Sequence, residues 1–258
     1  MVTCSRLLGM TAALAFLVMP ALAAAQATED DAKKIFMAMS DYLASQETIS
    51  ATFDSAVEVI TPALEKIQFA SSGTLLMSRP SALKATRTGG YSDVEMFFDG
   101  KAVTVFGKNL NGYTRVDAPG SVDEMIDVLR DRGMAIPGAD LLLSNVYDTL
   151  IGDVLEAKYI GHAVIGGVEC DHLAFRNQET DWQLWIERGD NPIPRKYVIT
   201  TKSMGAAPQY TLTIHEWNTD VETTAADFTF TPPEGAQELG PDALASLNDV
   251  PPPADPAK

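Results

Sequence analysis

Basic residues, histidine and cysteine are all scarce in this 258-residue chain, and each shortage removes a class of function. Nineteen Lys and Arg stand against 35 Asp and Glu, a net charge of −16. A chain this acidic repels phosphate backbones, so nucleic acid is not expected as a partner. The same charge argues against attraction to anionic membrane surfaces. The three histidines, His162, His172 and His215, show no H-x-x-x-H spacing, and there is no C-x-x-C pair; no metal or other cofactor is implied. There is no G-x-S-x-G nucleophile elbow. Past residue 27 no apolar run reaches the ~20 residues that a membrane-spanning helix needs.

The first 27 residues read as a targeting segment. Arg6 precedes an apolar run from Leu7 to Met19, Pro20 interrupts it, and Ala25-Gln26-Ala27 makes an A-x-A cleavage site, with Ala21-Leu22-Ala23 as the alternative. The expectation is a cleaved signal peptide and a soluble periplasmic protein; the competing reading is an anchor that stays in the membrane. No cysteine stands at the cleavage site for lipid attachment, since Cys4 lies before the apolar run. Cleavage removes Arg6 and no acid, so the net charge of −16 becomes −17. Cys170 is then the one remaining cysteine. It has no partner for an internal disulfide, and its mid-strand position between Val168 and His172 predicts a buried thiol; the alternative is a reactive thiol that pairs with another molecule.

The rest of the chain alternates between two periodicities. Residues 28–46 predict a helix, capped by Thr28, with acids at Glu29, Asp30 and Asp31 and an apolar face of Ala32, Ile35, Phe36, Met39, Tyr42 and Leu43. A run of short strands follows to Asp117, punctuated by Gly89-Gly90, Asp99-Gly100 and Asn111-Gly112. Ser121 and Glu124 form a capping box for a helix over 121–133. Pro137-Gly138 opens a second helical run, 139–151, with a broad apolar set that includes Leu141, Leu142, Leu143, Val146, Tyr147 and Leu150. Strands then resume from Val154 to Trp217. The best defined are Val168–Arg176, 182–187 and 195–201; in the second, Trp182, Leu184 and Ile186 point one way and Gln183, Trp185 and Glu187 the other. Asp227 to Gly235 is a short extended segment ended by prolines. One domain is expected over 28–239, followed by an acidic, Pro-rich, disordered tail at 240–258.

Three pieces carry a resemblance to the LolA-like outer-membrane lipoprotein carriers. They are Gly73-x-Leu75-x-Met77-x-Arg79-Pro80 followed by Leu83-Lys84; Leu184-Trp185-Ile186 followed by Pro192-Ile193-Pro194-Arg195-Lys196; and Phe228-Thr229-Phe230-Thr231-Pro232-Pro233-Glu234-Gly235. A second, closer resemblance is to a family of predicted periplasmic proteins of unknown function. It rests on Gly167 through Phe175 (GVECDHLAF) and Asp181 through Ile186 (DWQLWI). The resemblance implies an α+β fold in which a strongly curved antiparallel sheet, an unclosed half-barrel, wraps central helices and leaves a space for acyl chains. This sequence departs from the lipoprotein carrier in its extra strand-rich middle and its acidic tail.

No nucleophile–base pair, paired carboxylates or metal set emerges, so a binding protein is expected, not an enzyme. Asp171 and His172 are strand neighbours and diverge. The competing reading is a hydrolase assembled from distant positions with His172 as base. The expected ligand is hydrophobic, an acyl chain or lipoprotein lipid. Leu142, Val146 and Leu150 are expected to face it from the helix, with Leu75, Met77 and Trp185 opposite and Arg79 placed to orient a carboxylate or phosphate. Two plainer readings stand beside this one: the same apolar residues close a dry core, and Arg79 is a strand-end arginine before a turn. A monomer is expected. The alternative function is an envelope-stress or assembly interaction module that makes transient contact with a membrane protein.

Overall fold

A computed structural model describes residues 29–134 and 136–240. The expected signal peptide and the tail beyond 240 lie outside the described residues, as does Thr28.

The fold is α+β, and its body is one twelve-stranded sheet. The first meander is β1 (Thr48–Ile60), β2 (Lys66–Ser78), β3 (Ala82–Gly89), β4 (Asp93–Phe98), β5 (Ala102–Gly107) and β6 (Gly112–Asp117). The second is β7 (Glu156–Ile165), β8 (Val168–Arg176), β9 (Thr180–Glu187), β10 (Pro194–Thr201) and β11 (Gln209–Asn218). They join side by side through antiparallel pairing of β1 with β11, so the ends of a long chain segment meet at the sheet centre. The two-residue β12 (Gln237–Glu238) adds to β6 in parallel. The order is β12-β6-β5-β4-β3-β2-β1-β11-β10-β9-β8-β7, and the sheet stays open between β12 and β7.

One face of this curved sheet carries the core. Along β9, Trp182, Leu184 and Ile186 are buried and alternate with half-buried residues, as period 2 requires. Helix α1 (Glu29–Ser45) lies on that face with Ala32, Phe36, Met39 and Leu43 fully buried. The Phe36 ring meets Tyr147, Phe175 and Trp182 at centroid distances of 5.2, 5.4 and 5.4 Å. Helix α2 (Val122–Asp131) is held by the Ser121–Glu124 capping box and buries Val122, Met125, Ile126 and Leu129, the i, i+3, i+4, i+7 stripe.

The helix expected over 139–151 is not continuous. A 3-10 turn, Ala139–Leu142, is followed by a break and then the short α3, Val146–Ile151. At the break Leu143 is extended (φ −63°, ψ 153°). The Ser144 amide is taken by the Asp123 carboxylate at 3.1 and 3.2 Å. Ser144 and Asn145 are residues whose side chains compete for backbone hydrogen bonds, which disfavours a helix interior. Gly138, at φ 85°, starts the turn; a Cβ there would reach within 3.1 Å of Leu212 on the core face.

The segment after β11 behaves as a strap, not as a plain extended run. A 3-10 turn, Ala225–Phe228, is capped by Thr224 and Asp227. Phe228 is buried. Phe230 then packs against Phe97, Phe106 and Tyr113 at 5.5, 5.5 and 5.0 Å. By alternation with buried Phe98, Val105 and Thr114, those three rings lie on the outer face. The aromatic residues of the F-x-F-x-P-P motif therefore cover the back of the first meander.

Candidate functional site

The register defines rows of side chains across the inner face. One row runs Trp217, Ala51, Leu75, Ala85, Met96, Val105 and Thr114; its neighbour holds Ile214, Phe53 and Gly73. The next row, Ile49, Met77, Leu83, Phe98, Val103 and Val116, is sealed by the core. Trp217, Leu75, Ala85, Met96, Ile214 and Phe53 instead remain partly exposed while packing on that core. Five neighbouring strands at roughly 4.8 Å spacing make this an apolar band about 19 Å long. From the covering segment, Val128, Met134, Ile136 and Leu142 are likewise apolar and partly exposed. Gly73 allows the band to lie flat: a Cβ there would stand 2.2 Å from the Thr86 carbonyl oxygen and 2.5 Å from Phe53 Cζ.

The residues singled out from the sequence divide. Leu75, Leu142 and Leu150 are apolar, partly exposed and packed on the core cluster. Met77 and Val146 are fully buried. Arg79 Nη2 donates to the Leu142 carbonyl at 3.0 Å and more weakly to that of Leu143 at 3.4 Å, tying the 3-10 turn to the end of β2. Burial lowers the Arg79 pKa, and Asp123 opposes that shift. Trp185 is a correction. It lies on the outer face, because it alternates with buried Leu184 and Ile186. There it stacks on His172 at 4.1 Å with 12° between the planes, and Lys196 Nζ sits 5.2 Å from its ring centroid. It cannot face Leu142 across the inner space. Phe53, Ala85, Met96 and Ile214 were missed; the alternation of β1, with Phe53 in step with Ile49 and Ala51, was the available signal for the first of them.

Polar groups are grouped elsewhere. His172 Nε2 lies 2.9 Å from Gln183 Oε1, and burial holds its pKa below 6.5. On the outer surface Ser72 donates to Asp54 at 2.5 Å and His215 Nε2 lies 2.8 Å from the other Asp54 oxygen. This is not a hydrolase triad, because the carboxylate stands between serine and imidazole and the imidazole cannot take the serine proton. A groove of about 490 Å³ beside it has a mixed lining that includes Asp54, Ser72, Thr88, Thr211 and Thr213 together with Ala56 and Ala70. Asp171 accepts from Tyr159 at 2.8 Å and faces Arg188 and His162, both at 3.4 Å. Cys170 is buried, and burial raises its thiol pKa. Among the described residues no group of three or more His, Cys, Asp or Glu is placed to hold a metal ion.

The fold and the inner band define an open antiparallel half-barrel with an apolar inner face. Over residues 32–240 the chain matches, and belongs to, the family described as predicted periplasmic protein (DUF2092). No curated protein matches it. Among solved structures it is similar to an uncharacterized conserved protein from Thermus thermophilus, at 12% identity and a TM-score of 0.48 over 81% of this chain and 98% of that one. It is similar to the lipoprotein LppX of Mycobacterium tuberculosis, at 12% identity and a TM-score of 0.47 over 76% and 99%. It is also similar to MucB in complex with MucA(peri), at 13% identity and a TM-score of 0.43 over 78% and 60%.

Proposed function

We propose that this periplasmic protein binds a hydrophobic ligand, an acyl chain or the lipid of a lipoprotein, along the inner face of the half-barrel, and that it binds without catalysing a reaction. The observation that carries this reading is the band Trp217, Leu75, Ala85 and Met96 with Ile214 and Phe53, apolar yet partly exposed on the same face as a sealed core. An exposed apolar strip of this length has a favourable occupant in a hydrocarbon chain, since each buried CH₂ contributes about 0.8 kcal/mol. Leu75, Leu142 and Leu150 remain in the proposed lining; Met77 and Val146 support it from behind, and Arg79 positions the turn that carries Leu142. In this reading residues 1–27 are a signal peptide removed near Ala27 and the exported chain acts as a monomer.

The test is native mass spectrometry of protein purified from the periplasm, followed by lipid extraction. The expected result is a mass adduct that yields a fatty-acyl species. If no lipid co-purifies and no fluorescent fatty acid binds at micromolar concentration, the reading fails. N-terminal sequencing of the exported chain checks the cleavage.

The interaction-module reading is favoured by one observation. Strand β7 is an open edge of the sheet, and its Ile160 and Val164 are 53% and 64% exposed. Such an edge can accept a strand from another chain. Pull-down of a membrane protein with the native chain, lost on Ile160→Lys, would support it in place of lipid carriage.

A further inference from the structure

The exposed apolar side chains of this protein are not scattered. Among the described residues the large exposed hydrophobics are Met37, Leu64, Ile67, Tyr91, Leu110, Leu155, Ile160, Val164 and Met204. The antiparallel order places Leu64, Ile67, Tyr91, Leu110, Leu155 and Met204 at one and the same rim of the sheet, in or beside the turns that link β1 to β2, β3 to β4, β5 to β6 and β10 to β11, and at the entry to β7. Three of these turns are near neighbours and are tied together. Tyr91 packs edge-on against Phe69 at 5.6 Å. Lys66 Nζ donates to the Ala207 carbonyl at 3.2 Å, joining the β1–β2 tip to the β10–β11 turn.

We propose that this rim, led by Leu64, Tyr91 and Met204, docks on a zwitterionic lipid bilayer. Three features favour a bilayer as the occupant. First, the tips are separate knobs on successive hairpins with polar backbone between them, a shape that inserts into a fluid interface but offers no continuous face to a folded partner. Second, Leu64 is 72% exposed and adopts φ 63°. A branched side chain in the left-handed region is unfavourable, and glycine or asparagine would serve the turn better. Strain of this kind marks a position held for what its side chain does. Third, the three leading tips carry little charge: residues 61–64, 89–92 and 203–208 are uncharged, with Glu65 the one acid inside these turns, in a chain whose net charge is −16. An acidic protein is repelled by anionic headgroups, so neutral tips with an interfacial tyrosine suit a zwitterionic surface. Lys66 and Lys202, the flanking cations, are already engaged by Glu58 at 3.2 Å and Asp181 at 2.8 Å.

This docking goes beyond ligand binding on the inner face and holds whether or not that face carries lipid. The test is flotation of the native chain with phosphatidylcholine–phosphatidylethanolamine vesicles, without added fatty acid. The wild type is expected to float with the vesicles. Leu64→Asp and Met204→Asp are each expected to lower the bound fraction at least threefold, with unchanged near-ultraviolet circular dichroism. Ile160→Asp, at an apolar position away from the rim that is exposed to nearly the same extent as Met204 (53% against 56%), is expected to leave it unchanged. Met204→Cys, labelled with an environment-sensitive dye while Cys170 stays buried, is expected to blue-shift on vesicle addition. Failure of the wild type to float, or equal loss in Leu64→Asp and Ile160→Asp, overturns the proposal. So does a concentration-dependent dimer, formed without vesicles and abolished by Leu64→Asp, which would make the rim a contact between copies.

Discussion

The ring of Phe53 lies against bare backbone at its cross-strand partner Gly73: a Cβ on Gly73 would sit 2.5 Å from Phe53 Cζ. The same Cβ would be 2.2 Å from the Thr86 carbonyl oxygen, which belongs to the neighbouring strand and cannot step aside. Gly73→Ala is therefore expected to destabilise the protein by about 1–3 kcal/mol, the usual range for overpacking. Urea unfolding followed by fluorescence measures it. Because the ring is part of the inner band, fatty-acid binding should weaken in the same variant.

Opposite outcomes are expected from two apolar positions that looked alike in the sequence. Leu75→Asp places a carboxylate in the inner band and should weaken binding of a fluorescent fatty acid by tenfold or more, equivalent to about 1.4 kcal/mol. Trp185→Ala removes a ring from the outer face and should leave that affinity unchanged, while releasing His172 from its stack. Titration of the probe into both variants decides it; equal loss in the two would remove the inner face as the site.

The stacked imidazole gives a pH signature. Burial lowers the pKa of folded His172 below 6.5, against a smaller opposing effect of the Gln183 hydrogen bond. As pH falls below 6.5 the unfolded chain takes up a proton at this site before the folded chain does. Stability from this group is thus complete above 6.5 and is lost as pH falls through the folded value. The wild-type urea midpoint should drop more between pH 7.5 and pH 5 than that of His172→Phe, which keeps a ring against Trp185 but does not titrate.

The strap depends on one half-buried ring. Phe230 meets Phe97, Phe106 and Tyr113 within 5.5 Å, and beyond it Leu239 packs on Gly112, where a Cβ would come within 2.6 Å of its side chain. Phe230→Ala should cost about 2 kcal/mol, below the range for a fully buried phenylalanine. Limited proteolysis should cut the variant after Phe228 well before the wild type.

Much of this architecture is written in local sequence. Period-2 alternation bounded by Gly89-Gly90, Asp99-Gly100 and Asn111-Gly112 marks the strands, and the Ser121–Glu124 box marks the start of α2, because these signals act through neighbouring residues. Alternation separates Trp185 from Leu184, but which of the two faces carries the core, and hence that Trp185 lies outside, was decided by the packing of Trp182, Leu184 and Ile186 against the helices. What local sequence leaves open is how the faces are covered. The run 139–151 has a helical apolar pattern, yet Asp123, more than twenty residues earlier, takes the Ser144 amide and breaks it. Pairing of β1 with β11 depends on contacts some 160 residues apart in the chain, for example Phe53 with Ile214, and only that pairing makes the two meanders one sheet and the inner band continuous. The rim is legible only in three dimensions as well: Leu64, Tyr91 and Met204 are single apolar residues in separate turns, and antiparallel pairing alone brings them to one edge.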